Sequence, residues 1–147
     1  MRITFCTIRI LIFFFKAGKS EVTVTGLAKT YGIEKYTVSR IISSLEADGL
    51  IDKTNPRSPV LTEEGRAVAK HYSNRVDTVM RGLRLKGVAL EQAQTDAFYI
   101  AMYLSDETYE TVRKMERMRR MKHGLEAMRQ FSGDLLRKKL GDGIYSF

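Results

Sequence analysis

A single cysteine, Cys6, is all the thiol the chain carries, so no intrachain disulfide can form. That usage fits a reducing cytoplasm, the expected location. No apolar run approaches the roughly 20 residues that a membrane-crossing helix needs. The greasiest stretch, Ile10 to Phe15 within MRITFCTIRILIFFFKAGKS, also lacks a small-x-small cleavage site. It reads instead as a buried first helix over 3–16, amphipathic through Phe5, Ile8, Leu11 and Phe15. Phe13 and Phe14 are left to pack on another part of the protein or on a second subunit. Equally missing are a glycine-rich phosphate loop, a Cys-x-x-Cys pair, a His-rich motif and a nucleophile with a base nearby in sequence. The paired carboxylates Glu63-Glu64 and Asp106-Glu107 fall where first-turn helix residues belong. An enzyme is therefore not expected. There is no low-complexity tract and no internal repeat.

What is abundant is positive charge. The 147 residues carry a net charge of +8 with a pI near 9.7, which suits an anionic partner without naming it. Residues 1–62 hold 9 Lys+Arg against 5 Asp+Glu, 63–104 hold 6 against 5, and 105–147 hold 10 against 7. The excess lies at the two ends, around a nearly neutral middle.

The stretch from Val24 to Ala69 carries the clearest pattern. Leu27 and Ala28, then Val38, Ile41, Ile42 and Leu45, supply the inner faces of two short helices, the last four at helical spacing. Between them, in Tyr31-Gly32-Ile33, Gly32 can take the left-handed turn and Ile33 can plug the core. The outer face of the second helix carries Lys35, Tyr36, Thr37, Ser39, Arg40 and Ser43, donors and cations suited to phosphates and base edges. Asp48-Gly49 closes that helix. Leu50 to Lys53 and Val60-Leu61 read as strands around the turn Thr54-Asn55-Pro56-Arg57-Ser58. Thr62 caps the next helix. Helix, glycine turn, helix, basic-tipped hairpin and capped helix describe a winged helix-turn-helix, whose second helix enters the DNA major groove. A solvated helical hairpin is the plainer reading of the first two helices alone; the wing and the capped helix tip the balance.

From Glu63 a helix is expected to about Leu85, with Val68, Tyr72, Val76, Val79, Met80 and Leu83 inward. A break at Lys86-Gly87-Val88 and a helix over Leu90–Leu104 follow. Ser105 then caps a helix through Tyr109, Val112, Met115, Met118 and Met121, broken at Gly124 and again at Ser132-Gly133-Asp134. The methionine stripe reads as core or a dimer seam rather than a cofactor face. The basic residues Arg113 to Lys122 read as that helix's solvated face. The chain thus divides into a winged helix-turn-helix over 1–70, a helical dimerisation domain over 71–124 and a basic tail over 125–147, mainly α throughout.

Two blocks, TVSRIISSLEADGLI with LTEEGRAVA and the run LKGVALEQAQTDAFYIAMYLSDET, resemble the iron- and manganese-dependent repressors, the diphtheria-toxin-repressor family. The resemblance covers roughly residues 5–115. It implies a homodimeric repressor that sets two winged helices on a palindromic operator of double-stranded DNA. The family's DNA-contacting positions fall on Tyr36, Thr37, Ser39 and Arg40, which would read bases while Lys35, Lys53 and Arg57 hold phosphates. It also implies Fe²⁺ or Mn²⁺ as corepressor, and here the sequence departs from the pattern. The family's ligand positions carry Phe98, Ala101 and Met102, Arg75 or Val76, and the neighbourhood of Cys6, Thr7 and Ile10. Phenylalanine, alanine and valine offer no donor to a hard divalent ion. His71 and His123 lie elsewhere. No metal cofactor is expected. Two alternatives stand beside this reading: a winged helix that binds a protein through Phe13, Phe14 and the methionine stripe, and a repressor of the multiple-antibiotic-resistance type switched by a small organic ligand.

Overall fold

The computed structural model describes residues 2–144, with side chains through Lys138; the last residues of the expected tail, 145–147, lie outside the described residues. Two compact units are present, Met1–Leu104 and Ser105–Phe147.

The first unit opens with α1 (Phe5–Ala17), capped by Thr4, whose hydroxyl accepts the Thr7 N–H at 3.1 Å. Helix α2 (Val24–Tyr31) is capped likewise by Thr23. Gly32 follows in the left-handed conformation (φ 63°, ψ 34°), which only glycine adopts without cost, and turns the chain into α3 (Lys35–Ala47). Strands β1 (Ile51–Asp52) and β2 (Val60–Leu61) pair antiparallel with Ile51 opposite Leu61 and Asp52 opposite Val60. Helix α4 (Glu63–Leu85) starts on Thr62, and α5 (Leu90–Tyr103) completes the unit.

Two cores hold it together. The first gathers Ile10, Leu11 and Phe14 of α1 with Leu27, Val38, Ile42, Leu45 and Ile51, with Ile33 packed against it as the turn's plug. The second joins Ile8 and Ile12 of α1 to Tyr72, Val76, Ala97 and Ala101. Each large side chain so buried stabilises by about 1.5–3 kcal/mol relative to exposure. Ala93, Ala97 and Ala101 recur every fourth residue and are buried, so α5 presents a smooth strip that lets α4 approach closely.

Helix α1 is buried around more of its girth than its sequence stripe suggested. Phe14 lies in the first core and Phe13 packs against it, edge-on to Tyr31 at 5.8 Å between ring centres. Of the surface that the protein-binding alternative needed, Phe14 is buried by the chain itself and Phe13 is partly buried.

The second unit is one helix, α6 (Asp106–Ile144), capped by Ser105, whose hydroxyl accepts the Thr108 N–H at 3.2 Å. It runs through Gly124 and Gly133, where breaks were expected. An isolated glycine costs a helix only about 1 kcal/mol against alanine, and the surrounding Met, Lys, Arg, Glu and Leu favour helix. Met115, Met118 and Met121 are exposed, so they are not core of this chain. Pairs such as Arg113–Glu110 at 3.8 Å and Arg120–Glu116 at 3.6 Å lie along its surface.

Candidate nucleic-acid interface

The inward face of α3 is Val38, Ile42 and Leu45, all buried, with Ile41 partly so. Helical geometry therefore turns Lys35, Tyr36, Thr37, Ser39, Arg40 and Ser43 outward, and all six are exposed. Tyr36 is 71% exposed, an unusual cost for a large aromatic with nothing to cover it. Arg40 sits one turn on, its guanidinium 5.8 Å from the Tyr36 ring centre. The α3 amino terminus has Glu34 as its cap residue but no side-chain cap bond. Lys35, the first helical residue, is a cation at the positive end of the helix dipole. That placement is unfavourable alone and becomes favourable when an anion sits there.

The wing is shaped by two side-chain turns. The Asp52 carboxylate accepts the Thr54 N–H at 2.8 Å and the Thr54 hydroxyl. The hydroxyl first, then the amide, hold its pKa below the usual aspartate value. Asn55 Oδ1 accepts the Arg57 N–H at 3.1 Å and sets the tip, where Arg57 is exposed. Lys53 is placed differently from a free phosphate clamp. Its Nζ donates to Ser43 Oγ at 3.3 Å and lies 3.8 Å from Glu46, tying the wing to α3. Thus Tyr36 meets Arg40 and Ser43 meets Lys53, while Arg57 stands apart at the tip.

Arg2 was not singled out in the sequence. It lines, with Thr4, Thr37, Arg40 and Ser44, a cleft of ≈ 320 Å³ between the amino-terminal segment and α3. This second cation beside the exposed α3 face was invisible to periodicity because it precedes the first helix.

Where α1, α4 and α5 meet, the residues at the repressor family's ligand positions form an apolar junction. Val76 and Ala101 are buried in the second core, and Phe98 and Met102 pack against it. Burial raises the Tyr72 pKa, partly offset by Arg75. Among the described residues no group of three or more His, Cys, Asp or Glu side chains could hold a metal ion. The thioether and hydrocarbon there offer none of the oxygen or nitrogen donors that Fe²⁺ or Mn²⁺ prefers, and the single phenol of Tyr72 does not make a ligand set. No helix among the described residues is long and apolar enough to cross a membrane.

Comparison with known proteins agrees with this architecture. Residues 7–58 match the MarR family. The chain is 30% identical over 93 residues to the transcriptional regulator MntR of Escherichia coli O6:H1, covering 63% of this chain and 60% of that protein. It therefore spans about three fifths of that relative's length. Among solved structures, a manganese-dependent transcriptional repressor in complex with manganese superposes with a TM-score of 0.63 at 22% identity, over 72% of this chain and 50% of the other. The manganese regulator SloR gives 0.69 at 14% identity, over 76% and 53%. T. acidophilum IdeR gives 0.61 at 16% identity, over 80% and 55%. The resemblance to the metal-dependent repressors and the winged-helix fold both stand, and the curated relative is a transcriptional regulator rather than an enzyme.

Proposed function

We propose that this chain is a DNA-binding transcriptional regulator, a homodimeric repressor that acts in the cytoplasm without a metal corepressor. The observation that carries the reading is the exposed face of α3. Tyr36, Thr37, Ser39 and Arg40 stand opposite the buried inner face, with Arg2 lining a cleft beside Arg40 and the wing tied to Ser43 through Lys53. Such a ridge offers bidentate and single donors to base edges, flanked by cations for phosphates. The partner is double-stranded DNA, and a twofold dimer selects a palindromic operator.

Exposed apolar residues support the dimer. Ile100 and Tyr103 of α5 lie at the surface, as do Met118, Met121, Leu125 and Met128 of α6. Burying them between two copies supplies the driving force. The apolar junction at Val76, Phe98, Ala101 and Met102 supports metal independence, because side-chain packing there does what an ion assembles elsewhere.

The test is selection of bound sequences from random duplex DNA, run with and without a strong chelator. A palindromic consensus recovered equally in both arms is the expected result. Recovery only after added Mn²⁺ or Fe²⁺ sinks the metal-free part. Failure to retain duplex at low salt sinks the whole reading. A small-molecule switch is favoured by a separate observation, a cleft beside Phe98.

A further inference from the structure

Within the first unit a cleft of ≈ 580 Å³ opens between α1, the end of α2, α4 and α5. Its volume falls in the ~300–1,000 Å³ range of small-molecule sites. The walls are aromatic. Phe5 stacks on Tyr99 with ring centres 4.5 Å apart and planes 15° apart, and meets Phe98 edge-on at 5.7 Å. Tyr31 closes another side, its hydroxyl donating to the Arg9 carbonyl at 3.1 Å.

Arg9 is the unusual member. It is half-buried, and its guanidinium carbon lies 4.1 Å from the Tyr31 ring centre and 5.0 Å from that of Phe5. The rings attract the cation and restrict its plane. Two carboxylates also line the cleft, and neither pairs with it: Asp77 is engaged by Lys16 at 3.2 Å, and Glu91 is exposed in the first turn of α5. A partly desolvated guanidinium held against two rings, with no acceptor from the described residues on its N–H groups, is preset for a planar anion. A carboxylate matches that fork bidentately. The rings around it favour a flat apolar body attached to the same molecule.

We propose that this cleft binds a small aromatic carboxylate, its carboxylate on Arg9 and its ring among Phe5, Phe98 and Tyr99. The cleft touches the DNA-reading module through Tyr31, the last residue of α2, and the second core through α1 and α5. A ligand there contacts both and biases how they are held together. That effector role rests on the DNA-binding reading above; the site itself does not.

Calorimetry on the free full-length chain tests the site, with benzoate, the larger naphthoate and neutral naphthylmethanol as probes. Naphthoate is expected to bind saturably and more tightly than benzoate. The neutral alcohol, and naphthoate on Arg9→Gln, should each bind about tenfold or more weakly, the loss of one charge-assisted contact. Tyr99→Ala, at a half-exposed position where misfolding is a smaller concern, should weaken naphthoate as well. Absence of saturable binding, equal binding of acid and alcohol, or an unaltered affinity in a folded Arg9→Gln overturns the proposal. Anisotropy of a labelled duplex then tests the effector role. A shift in duplex affinity with naphthoate, absent in Arg9→Gln, supports it, and an unchanged affinity overturns it. A chain that binds naphthoate but no duplex at all strikes the DNA reading and leaves the site standing.

Discussion

Gly65 stands in the first turn of α4, and alanine there should destabilise the fold although alanine is the better helix former. A Cβ on Gly65 would lie 1.8 Å from the Leu50 carbonyl oxygen and 2.7 Å from its carbon. Ordinary carbon-to-oxygen contacts begin near ~3.3 Å, so the two backbones must part by about 1.5 Å. The Leu50 oxygen also accepts the Thr62 N–H at 3.0 Å, and Thr62 both caps α4 through Gly65 and donates to the Gly49 carbonyl at 2.7 Å. Overpacking costs about 1–3 kcal/mol and one strained hydrogen bond about 1 kcal/mol more. Helix propensity returns about 1 kcal/mol. The net for Gly65→Ala is about 1–3 kcal/mol of lost stability, or roughly 2–12 °C in melting temperature at about 2–4 °C per kcal/mol. Urea denaturation followed by circular dichroism measures it, with a lowered midpoint and an unchanged slope. Gly124→Ala is the matched control, because its Cβ meets nothing within 4 Å and its site is helical. It should leave stability unchanged or raise it by up to about 1 kcal/mol. A Gly65→Ala chain as stable as the wild type would refute the close approach and, with it, the placement of the wing on α4.

Other outcomes follow from the same geometry. Arg40→Ala should cost roughly 1–3 kcal/mol on the selected operator and relax its sequence preference, whereas Arg57→Ala should weaken all duplexes evenly and lower the salt slope by about 1; footprinting and salt titration separate the two. Ala97→Leu should destabilise by about 1–3 kcal/mol, read by thermal melting, because α4 leaves no room over a fully buried alanine. Asp52 has a depressed folded pKa, so its support for the wing is present above the ordinary aspartate value and is lost as pH falls through the folded one. The Thr54 amide resonance should therefore move on acidification and stop moving in Asp52→Asn; an Asp52→Asn chain with the wild-type titration would contradict this.

Most of the first unit was legible because its local signals agree with its packing. Thr62 sits at the start of the helix it caps, and Gly32 takes the left-handed turn between α2 and α3. Val38, Ile42 and Leu45 are buried as their spacing required. The misread part was α6. Gly124 and Gly133 were weighed as punctuation, but a glycine with strong helix formers on both sides has no competing turn to enter. Two features of the candidate sites escaped because they are made by distance rather than by pattern. Arg2 reaches the α3 face from outside any periodic segment. The aromatic cleft takes Arg9, Tyr31, Asp77 and Tyr99 from four helices, and no spacing rule joins them. The apolar character of the α1–α4–α5 junction could be read in advance, since Val76, Phe98 and Ala101 lack donors whatever their surroundings.

Helix α1 gives neighbouring residues to different compartments: Ile10 and Leu11 to one core, Ile8 and Ile12 to the other. It is a keel common to two hulls. A substitution at Ile8 or Ile12 therefore acts on a helix that also packs, through Ile10, Leu11 and Phe14, in the core that holds α3. Variation in this one helix is where the aim of the reading head would be tuned.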